Sequence, residues 1–362
     1  GASDMNLYKS SPIITQIGDN KVKMYPCHDY GNPNLLRHII NQESPDIILH
    51  FTDPRFWIWL YEMEFEIRKL LKVPIAYYSI WDNYPIPKFN APYYNSCDLL
   101  IAINSVANKV HKELAPNVHS TMVMHGVDTE IFKPLSKEEI SEVKNNFLEQ
   151  HNCERILFWN NVNMRRKNPL QLMEAFAEYY RKYDNKCCLV LHTNPADEAG
   201  ANLITVKRHL FDDVNIVFSV NKLDEETMNL WYNISDAVIS ISSNEGFGLS
   251  IQEAAAANCR SIVLKTGGLE MQGHKYNAIL IEPDLKLLSG SQLVPYIYQD
   301  YASTESIVKA LKAWRNTVNF SKFQMYKKVF TAKDMTNRIV EELKFCVSKF
   351  NTNSKLFTIT DI

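Results

Sequence analysis

The sequence predicts an α/β protein built of two doubly wound domains, and three observations predict it. Short apolar runs alternate with helical periodicity along most of the chain, the pattern left by parallel strands covered by helices on both faces. A chain of 362 residues suggests two cores or one large one. The alternation also stops at a link, Gly126-Val127-Asp128-Thr129-Glu130-Ile131-Phe132-Lys133-Pro134, and then begins again.

In the first half, strands are expected over residues 21–25, 46–51, 74–80, 97–103 and 120–124, the second of them buried. Helices are expected over 34–42, 56–71 and 105–114. Past the link, residues 136–150 form a polar-faced helix with Ser136 as N-cap and Glu139 three residues on. Strands at 155–159, 187–192, 216–218, 236–241 and 260–264 then alternate with helices at 169–183, 202–210, 225–233 and 252–258. Residues 283–303 look irregular, and such a stretch inside a compact domain is functional or mobile. Helices resume at 306–317 and 334–349, and Asn351-Thr352-Asn353-Ser354 reads as a polar tail. No repeat of solenoid period is present.

Composition excludes several functions. The formal charge is −2, so no global basic field is available to hold nucleic acid or an anionic membrane. No apolar run approaches the ~20 residues a membrane helix needs, and no export signal opens the chain. The seven cysteines are odd in number and lack a C-x-x-C pair, which argues for reduced thiols in a cytoplasmic setting and against zinc. The ten histidines show no H-x-x-x-H spacing, so no metal site is expected.

The chemistry concentrates in Ser242-Ser243-Asn244-Glu245-Gly246-Phe247-Gly248-Leu249-Ser250-Ile251-Gln252-Glu253, followed by four alanines. Two carboxylates, Glu245 and Glu253, stand either side of a strand-loop-helix junction, with Glu245 at the loop mouth and Glu253 about two turns into the helix. Gly246 and Gly248 strip side chains from the turn, so backbone N–H groups at a helix N-terminus can face an anion. Taken alone, this is also how an ordinary α/β turn with two solvated glutamates would read. Together with the following strand and Lys265-Thr266-Gly267-Gly268-Leu269-Glu270, the string resembles the E-x7-E region of retaining glycosyltransferases of family four, which have the GT-B fold. The link is similar to the Asn-Gly-Val-Asp segment that closes the first domain of that family, with His125 in place of the asparagine.

The resemblance runs from about Pro45 onward. It implies an acceptor-side domain over 1–134, a nucleotide-sugar domain over 135–333, and a helix over 334–362 that crosses back to the first domain, with a tail. The glycine-rich strand-loop-helix unit that opens the family is not found before Lys21, so the first domain reads as incomplete at its N-terminus or as a shortened variant.

A nucleotide sugar carries a diphosphate, and breaking its glycosidic bond calls for fixed donors and cations. Residues 159–169 supply Arg165, Arg166 and Lys167. Lys167 takes the family's lysine position by spacing; the expected arginine falls on Val162, which leaves Arg166, or else Arg165, to substitute. The resemblance gives Glu253 the ribose diol, since a carboxylate offers acceptors to two hydroxyl donors. It places Glu245 beside the transferred sugar, and the backbone around Gly246, Phe247, Gly248 and Leu249 against hydroxyls or phosphate. Asn160, Thr193 and Asn221, at neighbouring strand ends, complete the expected donor site. In the first half no histidine occupies the place where many relatives touch the donor sugar. Trp81, by stacking, and Asp82, by its carboxylate, are the candidates there. Residues 52–57 line the acceptor side, unless Asp53 merely caps a helix.

The implied function is retaining transfer of a sugar from a UDP- or GDP-linked donor, with no obligatory cofactor or metal, to an acceptor left open among glycan, lipid, protein and modified DNA base. Peripheral membrane contact stays open as well. Two alternatives stand beside it: a nucleotide-sugar epimerase or hydrolase, which would turn over donor without acceptor, and a catalytically inactive GT-B binding subunit.

Overall fold

The computed structural model describes residues 12–17, 20–27, 29–316 and 324–355. It opens on an antiparallel hairpin, β1 (Ile13–Ile17) and β2 (Asn20–Met24), of which only the second strand is expected from sequence. Helix α1 (Pro33–Glu43) starts where Asn32 Oδ1 accepts from the Leu35 amide at 3.0 Å and Pro33 presets the first turn. Strand β3 (Ile48–Phe51) follows.

The single helix expected over 56–71 is broken. It becomes a 3-10 turn at Pro54–Phe56, α2 (Ile58–Glu62) and a π turn at Glu66–Leu70. Trp57 leaves helical geometry at φ −124° and packs its ring 5.2 Å from His50, while the wide turn keeps Ile67 wholly buried.

Next come β4 (Ile75–Ser79), α3 (Ala91–Asn95), β5 (Leu99–Ala102), α4 (Ser105–Leu114) and β6 (His119–Met122). The strands form one parallel sheet in the order β3-β4-β5-β6. Ile75, Tyr77, Leu100 and Ala102 on one face pack with the helices of the same half. Ala76, Tyr78, Leu99 and Ile101 on the other are covered by the helix that closes the fold. Strand β3 was expected to be buried but lies at the sheet edge. Leu49 and Phe51 point beyond that covering helix and stay 40% and 48% exposed.

The second half begins at α5 (Lys137–Gln150), where Ser136 and Glu139 make the expected reciprocal capping box. It continues through β7 (Arg155–Asn160), α6 (Pro169–Lys182), β8 (Cys187–His192), α7 (Leu203–Leu210), β9 (Ile216–Ser219) and α8 (Glu225–Ile234). Then come β10 (Ala237–Ser240), α9 (Leu249–Ala256), β11 (Ser261–Leu264), α10 (Gly267–Lys275) and β12 (Ile279–Ile281). The six strands are parallel in the order β12-β11-β10-β7-β8-β9, so the winding reverses between β7 and β10. Open α/β sheets bind ligands outside the carboxyl ends of strands at such a point. Both faces are closed by apolar clusters drawn almost wholly from the same half.

The stretch expected to be irregular is instead an antiparallel hairpin, β13 (Leu285–Ser289) and β14 (Ile297–Tyr301). Its first strand, Leu-Lys-Leu-Leu-Ser, lacks clean alternation, and the pair is held largely by contacts with the other half. Helix α11 (Thr304–Arg315) then precedes α12 (Ala332–Lys355). The sequence-expected end of α11 at Thr317 lies outside the described residues, and the polar Asn351-to-Ser354 tract falls in the last turns of α12 rather than in a tail. Helix α12 lays Met335, Ile339, Leu343 and Cys346 on the first sheet and brings Glu342 Oε2 within 3.1 Å of His119 Nε2. The two links between the halves run side by side: the Val127 amide donates to Phe330 O (3.1 Å) and the Ala332 amide to Val127 O (2.8 Å). A Cβ on Gly126 would sit 2.3 Å from the Thr331 carbonyl oxygen, which is why glycine stands there. Among the described residues no helix is long and apolar enough to cross a membrane.

Candidate active site

The carboxyl ends of β7 and β10 face those of β4 and β6 across a cleft of about 860 Å³. Its wall brings together Asp82, Asn160, Arg166, Lys167, Thr193, the 245–249 loop and Glu253. Asn221 stays outside, on an exposed turn past β9, because β9 is the edge strand of its sheet on the side away from β10.

The loop after β7 is folded by its own residues. Asn168 takes a left-handed conformation (φ 53°) and its Nδ2 donates to Ile241 O at 2.8 Å, while the Ser243 amide donates to Arg166 O at 2.8 Å. These bonds lash the loop to the end of β10 and force the Lys167 side chain inward, where the residue is only 8% exposed. Lys167 Nζ pairs with Glu245 Oε2. Arg166 Nη1 lies 3.4 Å from the same oxygen and donates to Asn244 O at 2.7 Å. Burial lowers the Lys167 pKa, the Glu245 charge resists that shift, and Arg166 adds to it. Arg165 turns the other way, into a separate hollow with Gln171 and Glu174. Of the two arginines the sequence left open, only Arg166 reaches the cleft.

Helix α9 is capped by Gly248 (φ +88°) and starts at Leu249, so Glu253 is its fifth residue, little more than one turn in rather than two. Tyr232 Oη donates to Glu253 Oε2 at 2.6 Å and accepts from Asn160 Nδ2 at 2.9 Å. Burial raises the Glu253 pKa and the Tyr232 bond opposes that rise. Tyr232 was missed from sequence because it reads as part of the apolar face of α8. The one available signal is that a buried phenol must find a polar partner. Thr193 Oγ1 and Asn161 Nδ2 line the same cleft and, buried, have no hydrogen-bond partner among the described residues. Leaving such atoms unsatisfied costs about 1–3 kcal/mol each, which a polar ligand would offset.

From the first half, Asp82 reaches the cleft, and its carboxyl is pushed up to about 6 by burial, with the Arg166 charge opposing and the Glu245 charge adding. The glycines of the two loops do more than expose amides. A Cβ on Gly246 would meet Ile80 O at 2.7 Å, and one on Gly267 (φ +46°) would meet Asp82 O at 2.3 Å. Their absence lets the loops of the second half press directly on backbone 80–82. Trp81 corrects the sequence expectation: it is buried, donates Nε1–H to Asn83 O at 2.5 Å, sets its ring against Phe89, and does not line the cleft. Asp53 acts as a cap, accepting from the Arg55 amide at 3.1 Å and pairing with the Arg55 guanidinium. Near that segment it is Phe51 that borders the cleft. A histidine does line the cleft, but from the link and not from the segment near residue 80. His125 packs edge-on against Phe51, Tyr78 and Phe247, and burial lowers its pKa toward the neutral imidazole.

Two facing α/β halves, a cleft at a topological switch point and a crossing final helix define the GT-B architecture, and comparison with solved structures agrees. The chain is similar to HepE of Anabaena, solved with UDP and glucose, at 14% identity and a TM-score of 0.65, over 86% of this chain and 81% of that one. It is similar to a glycosyltransferase of Rickettsia africae at 18% identity and a TM-score of 0.67, over 90% and 84%. It is also similar to sucrose-phosphate synthase of Thermosynechococcus elongatus at 14% identity and a TM-score of 0.66, over 87% and 77%. Residues 137–310, which carry the cation loop and both glutamates, match the family described as "Glycosyl transferases group 1". No curated protein matches the sequence.

Proposed function

We propose that the protein is a retaining glycosyltransferase that moves a sugar from a nucleoside-diphosphate sugar to an acceptor, without a required metal. One observation carries this reading. Lys167 is buried at the switch point with Arg166 beside it, both held on Glu245, while Glu253 stands on the adjacent helix gripped by Tyr232. A diphosphate would meet Lys167, Arg166 and the N-terminus of α9, groups that stabilise charge developing on a leaving phosphate. Glu253 would take the ribose diol, and Asn160, Thr193 and Asn161 would supply polar contacts further toward the base. Glu245 and Asp82 would face the sugar, Glu245 against the positive charge that builds as the bond to phosphate breaks. On this reading the bond from the anomeric carbon to the β-phosphate oxygen breaks, the acceptor oxygen bonds to the same face of that carbon, and the leaving phosphate takes the acceptor proton. Residues 1–134 would hold the acceptor, 135–333 the donor, with 334–362 closing the first domain.

Among donors, a uridine-linked sugar is placed ahead of a guanosine-linked one, since structures with this fold include complexes with UDP and UDP-glucose. The test is calorimetry and thermal shift with UDP, GDP, ADP and CDP, followed by mass detection of transfer with and without excess EDTA. Binding of one nucleoside diphosphate at micromolar level and EDTA-resistant transfer are expected. Donor breakdown with no acceptor dependence would instead make the protein a hydrolase or epimerase, and no binding of any nucleotide would sink the proposal.

A further inference from the structure

Asp82 and Glu245, two of the carboxylates that line the cleft, sit on loops from opposite halves, and one buried side chain outside the cleft holds both loops. Asp300, on β14, is 3% exposed. Its Oδ2 accepts from Asn83 Nδ2 at 2.9 Å and from Thr266 Oγ1 at 2.7 Å. Asn83 immediately follows Asp82, and its Oδ1 accepts from the Tyr84 amide at 2.8 Å. Thr266 precedes Gly267 and Gly268, and the Gly268 amide donates to Glu245 O at 2.8 Å. The Asp300 amide itself donates to Ser243 O at 2.9 Å. Tyr298, on the same strand, donates its amide to Tyr84 O at 2.6 Å and accepts from Asn83 Nδ2 at 3.0 Å, and its carbonyl also takes Asn244 Nδ2. Toward its tip the hairpin reaches further into the first half: Arg55 Nη1 donates to Leu293 O at 3.0 Å, and Tyr296 Oη accepts from the Lys88 amide at 3.0 Å.

We propose that Asp300 is the positioning residue of the cleft: its carboxylate clamps the 81–84 loop to the 243–248 loop and thereby sets Asp82 against Glu245. The hairpin is the clamp's arm, with Lys286 on the facing strand, its Nζ 3.5 Å from Asp300 Oδ1, supplying the counter-charge. A buried carboxylate bonded to two donors is a stiff joint, because losing it leaves Asn83 Nδ2 only Tyr298 O and Thr266 Oγ1 only the longer bond to Ser243 O at 3.3 Å. Asp300 touches no substrate on this assignment. The kinetic part of the inference rests on the glycosyltransferase reading; the mechanical part does not.

The experiment compares Asp300→Ala and Asp300→Asn with the unaltered protein by hydrogen exchange and kinetics. Asparagine keeps an acceptor for Asn83 and Thr266; alanine keeps none. In Asp300→Ala, amides 82–84 and 245–248 should lose protection while α6 and α8 keep theirs. Its kcat should fall on the order of tenfold to hundredfold, the scale of a small misplacement of reacting groups. Affinity for the bare nucleotide should change less than about threefold, since Lys167 and Glu253 are untouched. Asp300→Asn should recover most of both. Thr266→Val, which removes one arm of the same joint, should show the exchange change even where Asp300→Ala fails to fold. Unchanged exchange in both loops, or equal loss of kcat in Asp300→Asn and Asp300→Ala, would overturn the assignment. A protein that binds no nucleotide at all would remove the functional reading, and the exchange data would still decide the clamp.

Discussion

The two sheets hold their sides of the cleft by different means. In the six-stranded sheet, β7, β8, β10 and β11 are covered on both faces by helices close to them in sequence, and nearly every side chain in them is buried. The four-stranded sheet closes one face with its own helices and the other with α12, more than two hundred residues downstream, and leaves β3 uncovered at the edge. The difference teaches where rigidity is local and where it is assembled. The groups proposed to grip the nucleotide stand on the first kind of support, and Asp82 and His125 stand on the second. Substitutions of the groups proposed to grip the nucleotide should therefore act on nucleotide binding, and those of Asp82 and His125 on turnover.

The largest effect should come from Lys167→Ala, which removes the only buried cation proposed at the leaving group. Nucleoside-diphosphate binding should weaken and turnover fall by ~100-fold or more. Unchanged calorimetry and unchanged rate would take Lys167 out of the site. Glu253→Gln should raise donor KM about tenfold with a smaller change in kcat, whereas Glu245→Gln should lower kcat at least tenfold with little loss of bare-nucleotide affinity. Steady-state kinetics paired with calorimetry separates them, and the reverse pattern would turn the donor around in the cleft.

A smaller effect is expected in pH dependence. Asp82 is pushed up to about 6 from 3.8, so turnover should drop about fivefold between pH 6 and pH 5 as the carboxyl takes up a proton. Asp82→Asn should lack that acid limb. Because the folded state favours the protonated form, the stability Asp82 confers is greatest below its ordinary pKa and is lost as pH rises through 6. The melting temperature of Asp82→Asn minus that of the unaltered protein should therefore rise between pH 4 and 6 and stay constant above; a difference that falls over that range would contradict the shift. The smallest effect is Ser136→Ala at the cap of α5: about 1 kcal/mol of stability, read from urea midpoints, with turnover unchanged.

The second half was the more legible. Its strands are short apolar runs whose burial on both faces is written locally, and the spacing of Glu245, Glu253 and Lys167 carries their placement at one sheet edge. What sequence did not give depends on contacts between distant segments. Tyr232 looks like core until Glu253 is seen beside it. The β13–β14 hairpin looks irregular because its partners, Asn83, Tyr84 and Arg55, lie far upstream. Trp81 has the composition of a stacking platform but serves packing, and His125 reaches the cleft by way of the link rather than from the segment near residue 80. Asn221 failed for a simpler reason: being at a strand's carboxyl end says little when the strand is at the sheet's edge.

The crossing at Gly126 and Thr331 has a consequence for how the chain comes off the ribosome. With Val127 bonded to both Phe330 and Ala332, the whole second half is a loop returned to the point it left. It can fold as soon as it has emerged, since its core draws on neighbouring segments. The first half, although synthesised earlier, must wait with the face formed by Ala76, Tyr78, Leu99 and Ile101 open to solvent until α12 follows. Folding order should therefore run opposite to translation order, and during that interval the unfinished sheet would be the surface a nascent-chain chaperone has to cover. A chain stopped after residue 331 should accordingly yield a soluble second half joined to an aggregating first one.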